Sequence, residues 1–184
     1  MSATNPRRAS AEVGSRMWPI YVGGFIGPFG GAMVSPMLPE LRKGLDTSLE
    51  VVASSLTVYL IPFALCMLFS GTLAEIWGRR RTVQIAYLSY AAASLLCALA
   101  PQAPLFLAGR AAQGIANAFT TPILMSALAD ATDTTRLGRA LGRFGSVQAA
   151  GLTFAPVIGG LCAAVDWRLA FWITLAAALA LAVV

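Results

Sequence analysis

Long uncharged stretches alternate with short charged segments along the whole chain. Five stretches carry no charge, and a sixth contains one arginine, Arg110. At about 1.5 Å of rise per helical residue, these stretches approach the roughly 30 Å hydrocarbon thickness of a bilayer. Backbone polar groups in lipid must bond to one another, so each stretch is predicted to be a membrane-spanning helix. The predicted spans are 17–38, 51–74, 82–100, 105–129, 144–165 and 169–184.

The composition favours lipid over water as the solvent of this surface. Apolar residues make up 58% of the chain and charged residues 11%, whereas ordinary soluble domains have about 45–50% and 25%. The alternative, a soluble protein with six buried helices, would have too little charge to cover its surface. We therefore predict an all-α integral membrane protein, with a polar tail at 1–16 and a six-helix bundle at 17–184.

The basic residues predict how the bundle crosses the membrane. If the amino terminus is cytoplasmic and the helices alternate, nine arginines lie inside and three basic residues lie outside, as the positive-inside rule requires. The inner set is Arg7, Arg8, Arg16, Arg79, Arg80, Arg81, Arg136, Arg139 and Arg143, and the outer set is Arg42, Lys43 and Arg168. The net charge of +5 is thus interpreted as a topology signal and not as a nucleic-acid surface. The predicted location is a bacterial plasma membrane, with tail 1–16 in the cytoplasm.

Candidate enzyme chemistry is sparse in this sequence. The chain has no histidine, and its three cysteines lie inside the apolar stretches without the spacing of metal ligands. Histidine-based metal ligation and Ser–His hydrolysis are therefore excluded. We predict no enzymatic activity, no metal site and no cofactor.

The loop after the second predicted span reads Gly71-Thr-Leu-Ala-Glu75-Ile-Trp-Gly78-Arg79-Arg80-Arg81. Taken alone, it could be a turn glycine followed by topology-setting arginines. Its spacing resembles motif A of the major facilitator superfamily, G-x-L-a-D-r-x-G-R-[KR], with Glu75 in place of Asp. The resemblance implies a latch between two six-helix halves on the cytoplasmic side. Its predicted residues are Gly71, Glu75, Gly78, Arg79 and Arg80.

The fourth span places three polar residues on one helical face, because Gln113 and Asn117 follow Arg110 by three and seven positions. A charged side chain in the bilayer is costly and usually faces a polar cavity. The alternative is that Arg110 reaches back to the outer interface. The stretch also resembles motif B of the superfamily. This resemblance implies that Arg110, Gln113 and Gly114 take part in proton coupling.

The fifth span carries small residues every fourth position, at Gly151, Ala155 and Gly159. Such a ridge lets another helix pack closely, and Pro156 favours a kink. The spacing resembles motif C of the antiporter branch, G-x8-G-x3-G-P-x2-G-G, with Ala155 replacing one glycine. The motif marks exporters and lies near the seam between halves. Its predicted packing residues are Gly142, Gly151, Ala155, Pro156, Gly159 and Gly160.

The resemblance implies one half of the superfamily fold, built from two inverted three-helix repeats. The first, second, fourth and fifth helices would line the transport path. The predicted cavity residues are Phe25, Phe29, Tyr59, Asn117 and Gln148, of which the aromatic ones could equally be core or lipid-facing. Drug exporters of this family often carry an acid in the first helix. Here Gly30 takes that position, and residues 17–38 contain no acid.

The predicted function is efflux of drugs or small metabolites by alternating access. A second six-helix half, either another copy or a separate chain, would be required, with protons as the candidate coupling ion. The bilayer, this second half and a small-molecule substrate are the predicted partners, and nucleic acid is not. A truncated, non-transporting fragment is the alternative, because the last span ends at Val184 without an interfacial anchor. A membrane enzyme or scaffold is the third reading.

Overall fold

The computed structural model describes the backbone of residues 6–183 and the side chains of residues 17–183. Its helices are α1 (Pro6–Ala32), a 3-10 turn (Ser35–Met37), α2 (Leu38–Gly44), α3 (Leu49–Trp77), α4 (Arg79–Leu99), α5 (Ala103–Ala118), α6 (Thr121–Asp130), α7 (Thr134–Val165) and α8 (Arg168–Ala182). The first span joins α1, the 3-10 turn and α2, and the fourth joins α5 and α6. The described residues contain no strand, so the predicted all-α six-helix bundle is confirmed.

Within residues 6–183, three helices are individually long and apolar enough to cross a membrane, namely α3, α4 and α7. The shorter helix α8 is also apolar. The first and fourth spans are each divided between helices, so no single described helix in them carries the whole apolar stretch. A proline follows each break, although α1, α3 and α7 continue through prolines of their own.

In the fourth span, α5 ends at Ala118 and α6 begins at Thr121, where the sequence predicted one unbroken helix over 105–129. Pro122 is the second residue of α6. It has no N–H to donate, and its ring would clash with the carbonyl of Ala118 in a continuous helix. The Thr120 hydroxyl donates to the Asn117 carbonyl over 2.8 Å, which satisfies an acceptor at the break. In the first span, Pro36 and Pro39 follow α1 in the same way.

Helices also extend beyond the apolar stretches. The segment 130–143 was expected to be an inner loop, yet α7 begins at Thr134, and α1 begins at Pro6 within the predicted tail. The first turns of α7 are helical because Ala140 and Leu141 pack against a buried cluster of Leu124, Leu128 and Phe144. Hydropathy therefore locates the part of a helix that lies in hydrocarbon, and not its ends.

Two close helix pairs hold the bundle together, α3 with α5 and α1 with α7, while α4 packs on both α5 and α8. Each pair meets at glycines. A Cβ atom on Gly114 of α5 would clash with the backbone of Tyr59, and one on Gly151 of α7 would clash with the backbone of Phe25. The first pair joins the second and fourth spans, and the other joins the fifth and first. This correspondence is the one expected between two inverted three-helix repeats.

Burial differs between the helices in a way that positions the site. Half of the apolar window of α4 is buried, whereas less than a quarter of the apolar windows of α3 and α7 is buried. The exposed side chains of α3 and α7 include Leu60, Leu65, Leu152 and Leu161. The faces of α3 and α7 that carry these leucines are therefore not covered by the bundle's own helices.

Candidate functional site

A cavity of about 620 Å³ opens between α1, α3, the fourth span and α7. Its walls are mainly apolar, and small residues of α1 provide the space. Three of the five predicted cavity residues line it: Tyr59, Asn117 and Gln148. The other lining residues are Gly27, Pro28, Gly31, Ala32, Ser35, Leu56, Leu60, Phe63, Thr121, Leu152 and Pro156. The helices are those that the family resemblance implied.

The two phenylalanines predicted for the cavity do not line it. Phe29 is 4% exposed and belongs to the main hydrophobic core. Phe25 packs against that core and stacks on Phe29, with ring centroids 5.7 Å apart. A single helix sequence does not indicate which of its faces a neighbouring helix covers, and a role of Phe25 and Phe29 in the transport path stays a prediction. Here α7 covers the face of α1 that carries both rings.

Arg110 is fully buried in the bundle and does not reach the interface. Its Nη1 atom donates to the Gly30 carbonyl over 3.1 Å and to Oε1 of Gln113 over 2.7 Å. Its guanidinium carbon lies 4.4 Å from the ring centroid of Tyr59, a cation–π contact. Nε and Nη2 have no hydrogen-bond partner among the described residues. None of the described carboxylates pairs with Arg110.

A chain of polar side chains holds Gln113 in place. Nε2 of Gln113 donates to the Ser94 hydroxyl over 2.8 Å, and that hydroxyl donates to the Tyr90 carbonyl over 2.8 Å. The Thr174 hydroxyl of α8 lies 3.4 Å from Ser94. Since Gln113 donates outward through Nε2, its carbonyl oxygen is directed at Arg110. The guanidinium is thereby oriented by neutral acceptors alone.

Tyr59 and Asn117 separate Arg110 from the cavity. Nδ2 of Asn117 donates to the Tyr59 hydroxyl over 2.7 Å and to the Gly27 carbonyl over 3.2 Å. Oδ1 of Asn117 accepts from the Thr120 hydroxyl over 2.8 Å. Tyr59 therefore presents one edge to the cavity and a ring face to the buried cation.

The predicted motif A residues lie at one end of the bundle, where α3 meets α4. Gly78 has a φ of +88°, which favours glycine because side chains rarely adopt it. Arg79 forms an ion pair with Asp130, at the end of α6. Glu75 and Arg80 are exposed, and Gly71 has open space around it. The acid that holds Arg79 in this structure is Asp130, which is not one of the predicted latch residues.

The motif C ridge is already occupied by the chain itself. Cβ atoms on Gly151 and Gly159 would clash with the backbone of Phe25 in α1 and of Met33, just after α1, and Ala155 is fully buried between them. Gly160 faces Pro36, whereas Gly142 has no neighbour within 4 Å. Pro156 is exposed beside the cavity, and α7 continues through it. The first span therefore packs on this ridge, and the predicted place of motif C near the seam between halves stays a prediction.

Sequence reasoning missed Ser94, Thr174, Tyr90 and Asp130. Serine and threonine inside apolar stretches were a usable signal, since buried hydroxyls require partners. Asp130 carried no such signal, because its partner Arg79 is 51 positions away. Only the packing of α4 beside α6 brings that pair together.

Comparison with known proteins agrees with this architecture. A family model described as Major Facilitator Superfamily matches residues 20–184. The chain is 31% identical over 169 residues to the efflux pump vrtL of Penicillium aethiopicum, which covers 91% of this chain and 34% of that protein. It is 33% identical over 126 residues to the multidrug resistance protein B homolog of Mycobacterium tuberculosis, with coverages of 68% and 23%.

A solved structure shows the same fold. The proton:xylose symporter XylE bound to 6-bromo-6-deoxy-D-glucose superposes with a TM-score of 0.82 at 15% identity, over 95% of this chain and 44% of that one. The chain spans about a third or less of the length of the two curated relatives it matches here. The predicted fold, six helices that correspond to half of a larger carrier, is confirmed.

Proposed function

Since the chain belongs to the major facilitator superfamily, a family of multi-pass membrane transporters of small molecules and not of enzymes, we propose that it is an efflux carrier for drugs or small metabolites. It would act by alternating access together with a second six-helix unit. The names of the efflux pump and the multidrug resistance relative support the direction of transport. The amino terminus would be cytoplasmic, as the distribution of arginines favours.

The observation that carries the proposal is the cavity on an uncovered face. It is lined by four spans, and its rim residues Leu60 and Leu152 are more than half exposed. Carriers built from repeated bundles bind their substrates near the membrane midplane, between the two units. One bundle with a cavity of about 620 Å³ open on one side fits the role of one wall of such a site.

Arg110 would supply the fixed charge of the site. A guanidinium in the bilayer costs about 2.5–3.5 kcal/mol even on the lenient insertion scale, and neutral acceptors only partly compensate. An acidic group on the solute or on the second unit would bind Arg110 once Tyr59 rotates. Protons remain the candidate coupling ion, but residues 17–38 offer no carboxylate for them. In this proposal a coupling acid would lie outside residues 17–38, in this chain or in a separately encoded second unit.

Pairing and transport can be tested on one preparation. The purified chain would be sized by light scattering in detergent and reconstituted into liposomes for efflux of fluorescent amphipathic dyes. We expect a paired species that transports. Leu152→Asn, on the exposed face of α7, should weaken pairing, whereas Leu179→Asn, on α8, should not. A strictly monomeric chain that transports would refute the requirement for a second unit, and a paired chain that moves no dye would count against efflux.

A further inference from the structure

Two adjoining grooves on the outside of α4 share no lining residue with the cavity. One, of about 260 Å³, lies between α4 and α5 and is lined by Trp77, Thr82, Ile85, Ala86, Ser89, Ala112, Ile115, Ala116 and Phe119. The other, of about 400 Å³, is lined by Ile76, Trp77, Arg81 and Ile85. Trp77 and Ile85 line both, so the two grooves form one continuous surface, which we call the Trp77 groove.

The Trp77 groove has the shape of a channel for an apolar chain. Small residues, among them Ala86 and Ala112, form its floor, and the bulkier Trp77, Ile85 and Ile115 form its walls. Residues 112 and 116 share one face of α5, and Phe119 follows directly after that helix; residues 82, 86 and 89 share one face of α4. Two faces with small side chains leave a furrow that neither helix fills.

The length of the furrow and the charge at its mouth indicate which kind of ligand it fits. Arg81 and Ser89 are eight residues apart on α4, which is about 12 Å of helix, close to the roughly 15 Å of one hydrocarbon leaflet. Trp77 and Arg81 stand at the mouth and are exposed, as interfacial residues are. Among the side chains of residues 17–183 the only ion pair joins Arg79 to Asp130. Arg81 thus has no carboxylate partner there, and Glu75 does not line the groove.

We propose that the Trp77 groove binds one anionic phospholipid. An acyl chain would lie along α4 and α5, and the phosphate would bind the guanidinium of Arg81. Basic pockets between membrane helices select anionic headgroups, and arginine forms paired hydrogen bonds with phosphate. Because the mouth carries an unpaired cation and the furrow is apolar, the surface complements a lipid better than a soluble anion or an uncharged solute.

Native mass spectrometry of the whole chain would test the site. The chain would be released from nanodiscs that contain equal amounts of phosphatidylglycerol and phosphatidylcholine with identical acyl chains. We expect the wild type to retain one phosphatidylglycerol preferentially. Arg81→Gln should lower the ratio of bound phosphatidylglycerol to phosphatidylcholine about fivefold, the value of one basic residue near a membrane surface. Arg143→Gln removes another exposed arginine, in α7, and should leave the ratio unchanged.

A second pair of variants tests the furrow separately from the charge. Ala112→Leu fills the groove and should reduce retention of both lipids, whereas Ala176→Leu, at an exposed alanine of α8 that does not line the groove, should not. Equal retention of the two lipids by the wild type would overturn the proposal. Equal behaviour of Arg81→Gln and Arg143→Gln, or of the two leucine variants, would do the same. Free glycerol phosphate, added as a competitor, should not displace the lipid.

Discussion

Two arginines on different helices of this bundle occupy opposite electrostatic environments. Arg79, at the start of α4, is 38% exposed and pairs with the carboxylate of Asp130. Arg110, in α5, is fully buried and meets only neutral acceptors and the Tyr59 ring. Water would solvate Arg79 even if it had no ion-pair partner. Arg110 is shielded from water, so it would gain more from a counter-ion than Arg79 does. If stability alone mattered, the buried arginine would have the carboxylate partner and the exposed arginine would not.

Arg110 therefore lowers the stability of the bundle, whereas the Arg79–Asp130 pair changes it little. An exposed ion pair is worth about 0–1 kcal/mol, and a buried charge without a partner is penalised by several kcal/mol. The bundle buries this charge without a carboxylate and orients it with the carbonyl oxygens of Gln113 and Gly30. We interpret Arg79 as part of a structural fastening and Arg110 as part of the transport site. Three predictions test this distinction, ordered by the size of the expected effect.

The largest effect is expected from Arg110→Met. Efflux by the reconstituted chain should fall at least about 30-fold, because removing one partner of a buried charge interaction costs 2 kcal/mol or more. The free energy of unfolding should stay within about 2 kcal/mol of the wild type, since the lost hydrogen bonds are offset by removal of the buried charge. Dye efflux and thermal unfolding of the same samples would measure both.

Arg110→Lys is the matched control for this prediction. It keeps the charge and loses the planar fork, so it should transport at an intermediate rate. If Arg110→Met destabilised the bundle strongly and transported normally per folded molecule, Arg110 would be a structural residue and the comparison would fail.

The fold was far easier to predict from sequence than the site. Lipid leaves the backbone few alternatives to helices, so the apolar stretches alone indicate six spans. Which face of a helix is covered depends on its neighbours. Phe29 proved to be core and Gly159 faces α1, and no spacing within a single helix could have shown either. Arg110 was identifiable because a charge inside an apolar stretch is rare, but its acceptor Gly30 lies 80 positions away.

The second prediction is an intermediate loss of stability when Gly30 of α1, which faces Tyr90 of α4, is replaced by alanine. A Cβ atom at Gly30 would clash with the Tyr90 hydroxyl, which has no hydrogen-bond partner among the described residues. Gly30→Ala should therefore lower the free energy of unfolding by about 1–3 kcal/mol through overpacking. Adding Tyr90→Phe removes the clashing oxygen and should restore most of that loss. Thermal unfolding of the single and double variants would measure it.

The control for the Gly30 prediction is Gly138→Ala in α7, where nothing lies within 4 Å. Alanine has the better helix propensity, so this variant should be neutral or more stable by up to about 1 kcal/mol. If Gly30→Ala and Gly138→Ala behaved alike, the close contact of Tyr90 with α1 would be disproved. The neutral environment assigned to Arg110 would then have to be revised.

The smallest effect is expected at the exposed pair, despite its good charge complementarity. Each charge lies at the unfavourable end of its helix dipole: Arg79 is the first residue of α4, and Asp130 is the last residue of α6. Each single variant, Arg79→Gln or Asp130→Asn, loses the pair and also removes one unfavourable dipole interaction. The net change in unfolding free energy should therefore stay below about 1 kcal/mol. A double-mutant cycle should give a coupling energy of similar size that decreases in high salt. A coupling energy above about 2 kcal/mol that persists in high salt would mean that the Arg79–Asp130 pair is effectively desolvated. Arg79 and Arg110 would then differ only in whether a carboxylate is present.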